Sequence, residues 1–162
     1  MQPYPWIVLL HIVGAFVFVL SHGASTWMAM VLRGERDRTR IAALLDVSSA
    51  SIGGTYVGLL LLLIGGIWAG IYGGHFARGW IWAAIVVLVI VIVMMYAVAT
   101  RYYVRLRAAV GLPSRGDAPD AALVASDADL AALAARAPVA ILMAVGGGGL
   151  LIILWLMVVK PF

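Results

Sequence analysis

The run Trp80-Ile-Trp-Ala-Ala-Ile-Val-Val-Leu-Val-Ile-Val-Ile-Val-Met-Met-Tyr-Ala-Val-Ala-Thr100 decides the fold. It holds 21 residues and no charge. At about 1.5 Å per residue a helix of this length covers roughly 30 Å, the hydrocarbon thickness of a bilayer. A water-soluble strand or core helix has no use for so long an uncharged stretch.

Three more runs of the same kind lie at 6–32, 52–72 and 137–159. The whole chain of 162 residues is 65% hydrophobic and 11% charged, with a mean hydropathy of +1.09. Those values exceed what a soluble domain can hide, so lipid is the expected solvent. Only helices or closed barrels satisfy every backbone group in lipid, and these continuous runs lack a barrel's alternation. The expected fold is therefore all-α: one polytopic membrane domain over 1–162, built as a four-transmembrane-helix bundle. The first run is read as a span and not a signal peptide, because no basic segment precedes it and it is too long. Cysteine is absent, which excludes disulfides, iron–sulfur clusters and thiolate metal sites.

The formal charge of +4 is distributed by loop. Arg33, Arg36, Arg38 and Arg40 follow the first run, while Arg101, Arg105, Arg107, Arg115 and Arg136 lie between the third and fourth. The opposite side has only Arg78 and Lys160. The positive-inside rule then predicts loops 33–51 and 101–136 in the cytoplasm and both termini outside, N-out/C-out. The protein is expected as a multi-pass component of the inner (plasma) membrane. Basic residues split among span-flanking loops argue against nucleic acid as a partner and for the lipid bilayer.

Within loop three, 111–119 reads as irregular from its Gly and Pro content. Ser126-Asp-Ala-Asp129 resembles a capping box opening a helix over 128–136, and Pro138 is placed to kink the start of the fourth span. Gly54, Gly58, Gly66, Gly70 and Gly74 recur at multiples of four, the spacing of a close helix–helix contact in lipid. Gly146 to Gly149 weaken the fourth span and open a groove. Trp6, Trp68, Tyr72, Trp80, Trp82 and Trp155 gather at the predicted outer ends, as an aromatic belt does.

His11-Ile-Val-Gly-Ala-Phe-Val-Phe-Val-Leu-Ser-His22 places two imidazoles inside the first span. Eleven residues turn a helix through about 1,100°, three turns and 20°, so both rings face one way, roughly 16.5 Å apart. Gly14, Phe18 and Ser25 share that face. Ionisable groups in a span are costly there and mark candidate sites. Imidazole ligates haem iron or other metals, relays protons, or simply ties helices together by hydrogen bonds. His75, in the short outer turn, lies at a depth where it can pair with His11 as axial ligands of one b-type haem. Met94 or Met95 is the expected partner level with His22. His11, His22 and His75 are thus the candidate metal ligands, with Gly14 and Phe18 as cofactor contacts. No carboxylate lies in any run, which disfavours carboxylate-driven pumping and a zinc or copper site. Ser21, Ser25, Thr26, Ser48, Ser49, Ser51 and Thr55 line a polar cavity or bond between helices.

Leu10-His11-Ile12-Val13 resembles the opening of a four-helix membrane superfamily that includes HemJ-type protoporphyrinogen oxidases, CopD-type copper-resistance domains and uncharacterised integral membrane proteins. Gly65-Gly-Ile-Trp-Ala-Gly70, Gly79-Trp80, Arg101 to Leu106 and the ending Leu156-Met-Val-Val-Lys-Pro161 carry it further. The resemblance implies that His11 binds haem or porphyrin. The HemJ type has a lysine just after the tryptophan that opens span three, where this chain has Trp82, Ala83 and Ala84. The leading expectation is haem b on a span-one histidine, serving electron transfer or haem handling. The alternatives are a non-catalytic accessory subunit or small-molecule permeation protein, and a HemJ-like oxidase lacking the lysine. A homodimer or larger membrane complex is the expected assembly.

Overall fold

A computed structural model describes residues 3–113 and 123–162. Arg115 and part of the segment read as irregular loop lie outside them. The described residues are helical almost throughout: α1 (Tyr4–Leu32), α2 (Arg38–Tyr72), a 3-10 turn (His75–Ala77), α3 (Gly79–Val110), α4 (Asp127–Ala135), α5 (Val139–Leu142), a π-helical stretch (Met143–Gly147) and α6 (Gly148–Val159). Four helical segments are long and apolar enough to cross a membrane, the fourth running from Asp127 to Val159 through its breaks. Only 11% to 22% of each apolar window is buried inside the protein. Side chains such as Phe16, Leu20, Val93 and Leu151 stand exposed on all sides. This is a polytopic all-α membrane protein whose missing burial is supplied by lipid.

Local chemistry sets the helix ends. Pro5 sits in the first turn of α1, where its missing N–H costs nothing. Asp37 caps α2 by accepting from the Arg40 amide at 2.9 Å. Gly111, at φ +90°, closes α3: its own amide donates to Ala108 and that of Leu112 to the Arg107 carbonyl, a Schellman ending that needs the left-handed region. Ser126 caps α4 as its sequence indicated, accepting from the Asp129 amide at 3.2 Å. Pro138 interrupts the chain between α4 and α5.

Helix α2 starts at Arg38 and α3 continues to Val110, so both extend well beyond the membrane-length runs. Most of the segment 38–51, read from composition as loop, is helix, because Ile41, Leu45 and Ser48 recur on one face and are buried. These extensions build the tightest core. Leu32, Ile41, Leu45, Leu106 and Leu130 are all but completely buried together, joining α1, α2, α3 and α4 at the arginine-rich end. Arg38 ties the same region, donating to the Ala109 and Ala125 carbonyls and pairing with Asp127 at 2.9 Å. Arg107 bridges to Asp46 and Ser49 at 3.2 and 3.0 Å.

Within the apolar layer α1 and α2 form a close antiparallel pair. Gly14 faces the Leu61–Leu62 backbone, Gly58 the Phe18 backbone and Gly65 the His11 backbone. Every step along α1 is matched by an equal step back along α2, so one register holds from His11 to Ser25. Glycine is required at these contacts, since a Cβ on Gly14, Gly58 or Gly65 would strike main-chain atoms. At the far end of the seam Ser25 bonds Ser51 at 2.8 Å and Ser48 at 3.2 Å. These three hydroxyls join α1 to α2, whereas those of Thr26 and Thr55 donate to carbonyls of their own helices.

Helix α3 packs on α6, with Gly149 against the Val91 side chain. At the aromatic end Trp80, Ile81, Ala84 and Leu156 form a second small core. Trp80, expected in an interfacial belt, is instead buried, its amide donating to the Phe162 carbonyl at 3.3 Å. Trp6, Trp68, Tyr72, Trp82 and Trp155 are exposed, as belt residues are.

Candidate functional sites around the histidines

The three histidines occupy three separate levels. His11 lies in the α1–α2 seam. Its Nδ1–H donates to the Leu62 carbonyl at 2.8 Å. A carbonyl can only accept, so Nδ1 carries the proton and the neutral ring keeps its lone pair on Nε2. Gly65 and Gly66 make this possible: a methyl group on Gly66 would lie 2.9 Å from Nδ1. No described residue bonds Nε2, and it is not sealed from the surroundings.

Gly14 and Phe18 share the His11 face of the helix, as expected, but that face meets α2. Gly14 is covered by the α2 backbone, and the Phe18 backbone rests on Gly58. The Phe18 ring reaches instead toward His22, lying parallel to it within 1° at a centroid separation of 5.8 Å.

His22 sits one helical face over from the tight seam, against the fourth helical segment. A Cβ on Gly146 would lie 2.8 Å from its Nε2, so the bare backbone of the π-helical stretch admits the ring. The tetraglycine was legible as a weak point in the helix. The π turn itself, which starts upstream at Met143, was not, because Met, Ala and Val carry no signal for it. Single π turns inside longer helices are frequent at functional sites. Beside His22 opens an almost wholly apolar groove of 240 Å³, with Gly23, Trp27 and Met30 on the α1 side and Met143 and Gly147 on the other. A Cβ on Gly23 or Gly147 would meet nothing within 4 Å. No described residue bonds either His22 ring nitrogen, and neither is sealed. The expected neighbours were Met94 or Met95. Met95 packs against the cluster of Ala29, Ala137, Val139 and Leu142, and the groove's thioethers are Met30 and Met143.

His75 lies at the aromatic end. Its Nε2 shares a hydrogen bond with the Tyr4 hydroxyl at 3.2 Å, and its ring tilts on Trp80 at 5.6 Å. Lys160 covers the same indole, 5.7 Å from its centroid. Tyr4 was not singled out from sequence, though antiparallel pairing of the first two spans brings the start of one to the end of the other. Tyr4 and His11 are seven residues apart on α1, or about 10.5 Å along its axis. His75, bonded to Tyr4, is thus engaged well away from the Leu62 carbonyl that holds His11. No group of three or more His, Cys, Asp or Glu side chains that could hold a metal ion occurs among the described residues.

Comparison with family models, with curated proteins and with solved structures finds no match to this chain. What the sequence and structure establish together is an all-α chain with four membrane-length helices.

Proposed function

We propose that this protein holds b-type haem on a span-one histidine, His11, in the inner (plasma) membrane, with both termini outside, and serves electron transfer or haem handling. The observation that supports the reading is the His11–Leu62 hydrogen bond. Histidines that ligate metals almost always donate their other N–H to a carbonyl or carboxylate, which fixes the tautomer and raises ligand basicity. His11 is fixed in that form, with Nε2 left without a protein partner. The donor chemistry fits haem iron, which the four-helix superfamily resemblance also implies through the same residue. Haem supplies one-electron chemistry when bound. The chain's part is to orient the imidazole from α1 and hold Nδ1–H from α2.

Purified protein should show a Soret band that shifts on dithionite reduction, and His11→Ala should lose it. Absence of the band after haem is supplied removes the reading.

A second reading draws on the same hydrogen bond. His11 then only ties α1 to α2, and the protein is a non-catalytic subunit of a larger assembly. The close fit of Gly14, Gly58 and Gly65 to the opposite backbone favours it, since a seam so tight is a packing device in its own right. On this reading His11→Ala weakens helix pairing with no spectral change.

A further inference from the structure

We infer that the groove beside His22 is a binding site for the ring of a lipid-soluble quinone, with an imidazole N–H donating to one quinone carbonyl. This site is separate from His11 and stands whether or not haem is bound there.

Three observations converge on it. The first is location. His22 lies ten residues, or roughly 15 Å, from the end of α1, inside the apolar layer, so an occupant must arrive dissolved in lipid. The second is unsatisfied chemistry. An imidazole nitrogen in hydrocarbon without a partner is costly, and natural proteins rarely leave such a group unpaired. No described residue satisfies either nitrogen of His22. Thr26, the hydroxyl that lines the groove, is already committed, donating to the His22 main-chain carbonyl at 3.0 Å. The third is shape. Gly23 and Gly147 stand on opposite walls with open space where side chains would be, and the π turn holds the second wall in place. The volume of 240 Å³ lies just below the usual range for small-molecule pockets, roughly 300–1,000 Å³. It accommodates one substituted ring with its tail left in the lipid, and is too small for a porphyrin.

The occupant's chemistry is set by the walls. Their polar groups are the His22 imidazole, the Thr26 hydroxyl and the Trp27 indole N–H, and the remainder is thioether and hydrocarbon. A molecule that is flat, apolar and carries a carbonyl acceptor matches that set. A phospholipid headgroup does not, since no cation lines the groove. Phe18 lies parallel to His22 on its own helix and holds the imidazole plane fixed, so the N–H direction is set before the ligand enters.

Trp27 on the groove rim provides the readout, because quinones quench indole fluorescence. The full-length protein in phosphatidylcholine nanodiscs is titrated with decylubiquinone. Saturable quenching is expected, and Trp27→Phe should remove its saturable component. Gly23→Leu, whose Cβ enters open space, should fill the groove and abolish binding while leaving the fold intact. His22→Ala should weaken binding about tenfold, the loss of one hydrogen bond to a group otherwise left unpaired. His22→Gln, which keeps an N–H donor, should recover most of the affinity. Non-saturable quenching in the wild type, undiminished binding in folded Gly23→Leu, or equal affinity of wild type and His22→Ala would overturn the proposal. Equally effective competition by decylbenzene, which has the tail and ring but no carbonyl, would overturn it too.

Discussion

Gly53 and Gly58 are five residues apart on α2 and meet opposite surroundings. A Cβ on Gly53 touches nothing, whereas one on Gly58 would fall on the Phe18 main chain. Gly53→Ala should therefore be neutral or stabilising by up to about 1 kcal/mol, from helix propensity alone. Gly58→Ala should cost about 1–3 kcal/mol, because neither backbone can yield. Unfolding of the two variants in detergent, compared with the parent, separates the effects. Glu35 offers a titration at the same scale. Its carboxylate accepts the Arg36 and Asp37 amides at 2.9 and 3.2 Å and pairs with Arg40, which holds its pKa below the ordinary value of 4.5. A depressed carboxylate pKa adds stability that is present above the ordinary value and lost as pH falls through the lowered one. The α1–α2 turn should thus loosen only in acid below about pH 4.5, and Glu35→Gln should remove that dependence. Amide exchange at residues 33–37 across this range checks it. Which glycines matter was only partly legible. The four-residue spacing pointed to Gly58, which packs on backbone, and to Gly54 and Gly66, which meet side chains; Gly14 and Gly65 lie outside that spacing yet also pack on backbone, and their role emerges only once the register of the pair is fixed.

Among the elements, α4 was the most readable and the π-helical stretch the least. A Ser with an Asp three residues later is a local signal, independent of the rest of the fold, and Ser126 caps α4 accordingly. Ser126→Ala should cost about 1 kcal/mol, seen as faster amide exchange within Asp127–Ala135. The π turn depends on two helices meeting, His22 against Gly146, so no local pattern announces it. The helical extensions 38–51 and 101–110 were missed for a related reason. Hydropathy ends where the membrane ends, whereas helix α2 is sustained past that point by a protein core built around Leu45 and Leu106. Arg38 secures that core to the end of α3 and the lead into α4 through the Ala109 and Ala125 carbonyls, and to α4 itself through the Asp127 carboxylate, a role that charge counting alone assigns to lipid. Arg38→Ala should raise the rate of proteolysis between α3 and α4 several-fold while leaving the membrane-embedded helices protected.

At the scale of the molecule, four spans and their lengths are readable from hydropathy because lipid imposes a single requirement on every backbone group. The levels of the three histidines are not, since depth along one helix says nothing of which neighbour reaches it. His11 and His75 looked level in sequence, yet one is held by Leu62 and the other by Tyr4. Orientation rests on the arginine bias. The absence of cysteine makes it directly accessible: Gly34→Cys should react with a membrane-impermeant maleimide only after cells are permeabilised, and Pro161→Cys should react before. Haem on His11 is the claim on which the functional account turns. Its most direct test is the oxidised and dithionite-reduced absorption spectrum of the detergent-purified protein beside that of His11→Ala, each with haem supplied during expression. The account predicts a Soret band and a reduced-state shift in the parent that disappear in the variant. A parent protein with no such band, or a variant that retains it undiminished, contradicts it.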